Sequence, residues 1–167
     1  MRRYIHFLSQ LELAKRSVFS DIMGQVKRSI HIFGRDSSDP ESRRGVGYVP
    51  ENPYFYDHLK VKEAVRMGAD LAGVPRRDVN RQVNDILEQV GLSARASTPL
   101  KTLSKGLLQR VAIAQALIAG PRFLILDEPF SGLDPLGRRE IRDLFEQQRA
   151  AGVTIFMASH ILSDVEY

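Results

Sequence analysis

Two adjacent carboxylates, Asp127 and Glu128, close the apolar run Phe123-Leu124-Ile125-Leu126. A run of that length reads as a buried strand, and charge at its end implies a ligand edge. In open α/β sheets ligands sit beyond the carboxyl ends of the strands, where one acid can hold a divalent cation against a phosphate and a second can orient or deprotonate water. Asp127 as a cap for the following turn is the other reading of the same residues. Ser104 stands before a helical run, where its hydroxyl and the first-turn N–H groups make either an anion site or an ordinary N-cap. Asp134 before Pro135 has the form of an N-cap with proline in the first turn. His160 follows the next apolar run, as a proton carrier or a structural imidazole.

The elements that must position these groups follow from periodicity. Phe123 to Leu126 reads as a strand, Pro135 to Ala151 as an amphipathic helix, and Val153 to Ala158 as a second strand. Leu136, Ile141, Leu144 and Phe145 are expected on the helix's core face, with Arg138, Arg139, Glu146 and Gln147 elsewhere and Gly152 as the stop. Strand, helix, strand with short apolar runs implies a parallel sheet covered on both faces by right-handed crossovers. Upstream, Ser104 to Ala119 reads as a helix apolar nearly all round and therefore set against the sheet. Val61 to Leu71 is a further helix, and Val79, Val83, Ile86, Leu87 and Val90 before Gly91 mark another. Gly45 to Pro50 reads as a short strand entering a proline-rich turn. The aromatic cluster Tyr54-Phe55-Tyr56 after it reads as core or as part of a docking groove.

At 167 residues and 43% apolar content the chain has material for about one domain. No run reaches the roughly 20 apolar residues of a spanning helix, and the start, Met1 to Ser9, is too short in apolar residues for a secretory signal. With no cysteine, disulfides and thiolate metal sites are excluded and a reducing compartment is expected. The net charge of +4 is concentrated at the front: residues 1–44 carry nine Lys or Arg against five acids, while residues 45–167 carry fifteen of each. Its short basic pairs do not form the continuous stripe that a nucleic-acid surface needs, so no nucleic acid is expected as a partner.

Taken in order, Leu103-Ser104-Lys105-Gly106-Leu107-Leu108-Gln109-Arg110, Asp127-Glu128-Pro129, Ser131-Gly132-Leu133-Asp134 and Ser159-His160 resemble the signature, Walker B, D-loop and switch histidine of ABC-type transporter ATPases. Gly47 to Asn52 resembles the family's Q-loop segment, with Glu51 in place of Gln. The resemblance implies a partial P-loop NTPase (RecA-like) α/β fold, a parallel sheet with an inserted helical signature subdomain. One ATPase domain would then divide into a nucleotide-binding front at 1–54, a helical signature part at 55–110 and a Walker B to switch-histidine core at 111–167. It further implies ATP and Mg²⁺ as cofactors. Asp127 would hold the metal, Glu128 and His160 would act on the attacking water, and Ser104, Gly106 and Asp134 would meet nucleotide across a head-to-tail dimer with a second ATPase subunit. The implied membrane partner is a transmembrane transporter subunit, which would hold the chain in the cytoplasm at the inner face of the membrane.

The phosphate-cradling G-x-x-x-x-G-K-[ST] loop of that family is not present in the sequence. Lys15 aligns with its lysine and Ser17 with the residue after the metal-binding hydroxyl, but Ser9, Glu12 and Ala14 stand where three glycines are expected. Side chains there obstruct close approach of the backbone, and Glu12 sets a negative charge beside phosphate. Codons for Gly-Ala-Gly-Lys-Thr read one base later give Glu-Leu-Ala-Lys-Arg, the run at residues 12–16, so a frameshift across the loop is one expected origin. A natural pseudo-enzyme is the other. The strands that precede the loop in the family have no expected counterpart.

Overall fold

The computed structural model describes residues 4–7, by their backbone, and residues 31–159. Four strands form a parallel sheet: β1 (Tyr4–Phe7), β4 (Val46–Val49), β5 (Phe123–Asp127) and β6 (Thr154–Ala158), in the order β1-β6-β5-β4. Before β4, β2 (His31–Ile32) and β3 (Arg35–Asp36) make an antiparallel hairpin. The α-helices among the described residues are α1 (Val61–Leu71), α2 (Arg76–Gln89), α3 (Lys105–Leu117) and α4 (Pro135–Ala150). The expected α/β class and parallel sheet are therefore present.

β5 and β6 are almost wholly buried between neighbouring strands and helices, which is why their sequences are continuous apolar runs rather than alternating ones. α4 joins them as the crossover, and Val153 and Gly152 return the chain to the sheet. Strand β1 departs from expectation: Tyr4 to Phe7 pairs in parallel with Ile155 to Ala158. Four residues carry too little pattern to identify a strand; the open edge of β6 supplies the partner.

α3 lies against β4, and Gly47 permits the approach, since a Cβ there would sit 2.4 Å from the Ala116 carbonyl oxygen. Val49, Leu124 and Leu126 from the sheet, Val61 and Val83 from α1 and α2, and Ile141 and Phe145 from α4 belong to one continuous buried cluster. Leu136 is a correction. It sits in the first turn of α4 and is 62% exposed, whereas Ile141, Leu144 and Phe145 carry the buried face. The β2–β3 turn places Phe33 at φ 53° and Gly34 at φ 80°, both left-handed as a two-residue hairpin turn requires. The Arg122 guanidinium, 3.9 Å from the Phe33 ring centroid, ties that hairpin to the start of β5.

Candidate functional site

All four sheet strands are parallel, so their carboxyl ends share one edge. Phe7, Ala158 and Asp127 stand in register there, and Val49 pairs with Leu126 one row back. Asp127 is thus the last residue of β5, and the cap of the following helix is Asp134. Glu51 lies just beyond the end of β4 and is exposed. The Tyr48 phenol is held above its ordinary pKa, first by burial and second by the negative charge of Asp127, which places that carboxylate's field along the β4–β5 edge.

Glu128 is buried and held at φ 49°. A non-glycine residue in the left-handed region costs about 1–2 kcal/mol, so the surrounding bonds must fix it. Its N–H donates to the Ala158 carbonyl at 2.9 Å, its carbonyl accepts from Ser131 N–H at 3.0 Å, and Ser159 Oγ donates to its Oε2 at 3.2 Å. The reversal turns the Glu128 side chain out of the strand's alternation and keeps it beside the end of β6. One carboxylate at the edge and a second fixed next to it suit a small hard cation shared with phosphate, because Mg²⁺ takes one or two protein carboxylates and completes its shell from phosphate and water.

A second grouping forms where two helix starts meet. Ser104 caps α3, its Oγ accepting from Leu107 N–H at 3.4 Å; Asp134 caps α4, its Oδ1 accepting from Gly137 N–H at 2.9 Å with Pro135 in the first turn. Gly106 and Gly132 let the two segments touch, since a Cβ on Gly106 would lie 2.4 Å from the Gly132 carbonyl oxygen. Between them runs a cleft of about 500 Å³ lined in part by Ser104, Gly106, Arg110, Asp134 and Glu140. Both helix N-termini present partial positive charge there.

Asp127 and Glu128 are thereby brought together with Ser159, and Ser104 and Gly106 with Asp134. Lys15, Ser17 and His160 lie outside the described residues. The aromatic segment splits: Tyr54 is 92% and Tyr56 58% exposed, while Phe55 packs on the core. Tyr48, the buried Gln109 and the partners of Arg110 carry no periodic signal in the sequence, since each is defined by contacts between distant segments. Among the described residues no helix is long and apolar enough to cross a membrane.

A family model described as ABC transporter matches residues 15–131. The chain is 43% identical over 137 residues to an uncharacterized ABC transporter ATP-binding protein of a Nostoc species, covering 81% of this chain and 41% of that protein. It is 34% identical over 166 residues to the bacitracin transport ATP-binding protein of Bacillus licheniformis, covering 96% of this chain and 53% of that one. The chain thus spans about half the length of such relatives or less. Among solved structures, an ATP-binding subunit of an ABC transporter superposes with a TM-score of 0.82 at 31% identity, over 96% of this chain and 68% of the other. A Clostridium perfringens protein that is part of the ABC transporter complex cbiONQ gives 0.80 at 30% identity, over 97% and 68%.

Proposed function

The chain belongs to the ABC transporter ATP-binding family, and from that premise we propose that it is a subunit that binds ATP and couples its hydrolysis to a transmembrane transporter subunit. The observation that carries the reading is the carboxyl edge of the sheet, where Asp127 ends β5 and Glu128 is turned and fixed beside it by Ser159. Bound Mg-ATP would supply an electrophilic phosphorus and a cation to neutralise the phosphate charge.

The residues divide that work. Asp127 would hold the cation, and Glu128 would accept a proton from water at a carboxylate oxygen or orient that water. Ser104 with the first amides of α3 would bind an anion offered by a second copy or homologous subunit set head to tail, with Gly106 letting the start of α3 pack against Gly132 and Asp134 lining the same cleft. By resemblance His160 would meet the terminal phosphate and the water, Lys15 and Ser17 would face phosphate and metal, and Glu51 would bind metal or face the membrane partner. We retain the division into 1–54, 55–110 and 111–167 as regions of one ATPase domain. This assignment puts the chain in the cytoplasm at the inner face of the membrane.

A second reading has its own observation. Ser9, Glu12 and Ala14 occupy the glycine positions of the phosphate loop, so the chain would act as an impaired fragment that complements a partner without binding ATP well. Titration with Mg-ATP separates the two. A competent site binds in the micromolar range, about −8 kcal/mol, and Glu128→Gln accumulates an ATP-dependent dimer. If the full chain neither binds Mg-ATP nor forms that dimer, the first reading is overturned in favour of the second.

A further inference from the structure

We propose that Arg110 is a positioning residue whose guanidinium locks the Ser104 helix start, the Asp134 turn and the end of α2 into one rigid unit, so that the two elements offered to a second subunit move together. The proposal rests on the reading of those two elements as partner-facing, and its geometry is independent of nucleotide.

Arg110 lies in the second turn of α3, its side chain only 12% exposed. Nη1 donates to the Val90 carbonyl at the end of α2 at 2.8 Å, and Nη2 donates to Glu140 Oε2 on α4 at 2.6 Å. A single planar cation therefore bridges three segments far apart in sequence. A charge-assisted bond of that length is both strong and directional, and the fixed spacing of the guanidinium nitrogens sets the distance between its two acceptors.

The surroundings are cut to this side chain. Gly91, at φ 70°, would carry a Cβ 2.9 Å from Nη1, and Gly137 would carry one 2.8 Å from Nη2. Gly106 against Gly132 makes the adjoining backbone contact between the same two segments. Gly91 and Gly137 thus clear the path of one arginine, and Gly106 and Gly132 make the backbone contact beside it. Lysine cannot replace it, because a single ammonium on a flexible stem lacks two donors at fixed separation.

The chain contains no cysteine, so Lys101→Cys and Asp143→Cys, both at exposed positions, give a spin-label pair spanning α3's entry and α4 in the full chain. Arg110→Lys in that background is expected to widen the electron–electron distance distribution about two-fold, with Glu140→Gln giving a smaller widening because the bond to Val90 remains. A purely stabilising role would instead lower the melting temperature of both variants and leave the width of the distribution as in the parent, and that result overturns the proposal. If Arg110→Lys does not fold, Glu140→Gln carries the test by the same criterion. The measurement needs no ATP: failure of the chain to bind Mg-ATP sinks the ATPase reading and leaves the strut, whereas an unchanged distribution sinks the strut and leaves the ATPase reading.

Discussion

Replacing Gln109 by Met tests the packing of the helix that carries Ser104. Gln109 is fully buried, and neither its Nε2 nor its Oε1 has a hydrogen-bond partner among the described residues. An unsatisfied buried polar group costs about 1–3 kcal/mol, and Met has nearly the same length and volume with no such demand. Taking about 2 kcal/mol for the amide, and about 2–4 °C per kcal/mol for a domain of this size, the melting temperature should rise by about 4–8 °C. Gln115 on the same helix supplies the control, because its Nε2 donates to the Ala64 carbonyl at 2.7 Å and so ties α3 to α1. There the same substitution should cost about 1 kcal/mol and lower the melting temperature by about 2–4 °C. Thermal unfolding followed by circular dichroism reads both. A Gln109→Met variant that melts at or below the parent would show that the buried amide is satisfied or packs better than a thioether, refuting the unsatisfied-amide account.

Gly47→Ala should destabilise by about 1–3 kcal/mol through the Ala116 carbonyl and Leu124 Cδ1, 2.4 and 2.8 Å from the added Cβ; a denaturant midpoint equal to the parent's would contradict that packing. Because the folded state raises the Tyr48 pKa, the unfolded chain binds fewer protons once pH exceeds the ordinary tyrosine range, and stability falls as pH rises there. Tyr48→Phe should remove that alkaline loss, and Asp127→Asn should shift the Tyr48 titration, followed by phenolate absorbance, downward; no shift would mean that Asp127 does not act on it. Asp134→Ala should cost about 0.5–2 kcal/mol by uncapping α4 while Asp134→Asn costs less, compared by urea unfolding. DNA sequencing across codons 1–30 should reveal Gly-Ala-Gly-Lys-Thr in another frame, and absence of that run in all three frames would rule out a frameshift.

Local signals were sufficient wherever the chemistry was local. Val61 to Leu71 runs as a helix with the bounds its periodicity implies. Ser104 and Asp134-Pro135 cap the helices they precede, because capping engages a residue and its third neighbour. Leu136 fails as a core residue for the opposite reason: an apolar side chain in a first turn satisfies the helical period, but whether it is covered depends on what lies across from it, and nothing described covers it.

The sequence by itself determined the strand-ending carboxylates Asp127 and Glu128, the buried parallel strands and the order of the helices, since apolar runs and capping residues act over a few neighbours. Only the tertiary structure decided that Tyr4 to Phe7 is a strand, that Glu128 is turned to φ 49° beside Ser159, that Asp127 bears on Tyr48, and that Arg110 joins Val90 to Glu140. Each of these rests on a partner distant in sequence, and the free energy of a long-range pair is written in the packing of the whole sheet and its helices rather than in either segment alone.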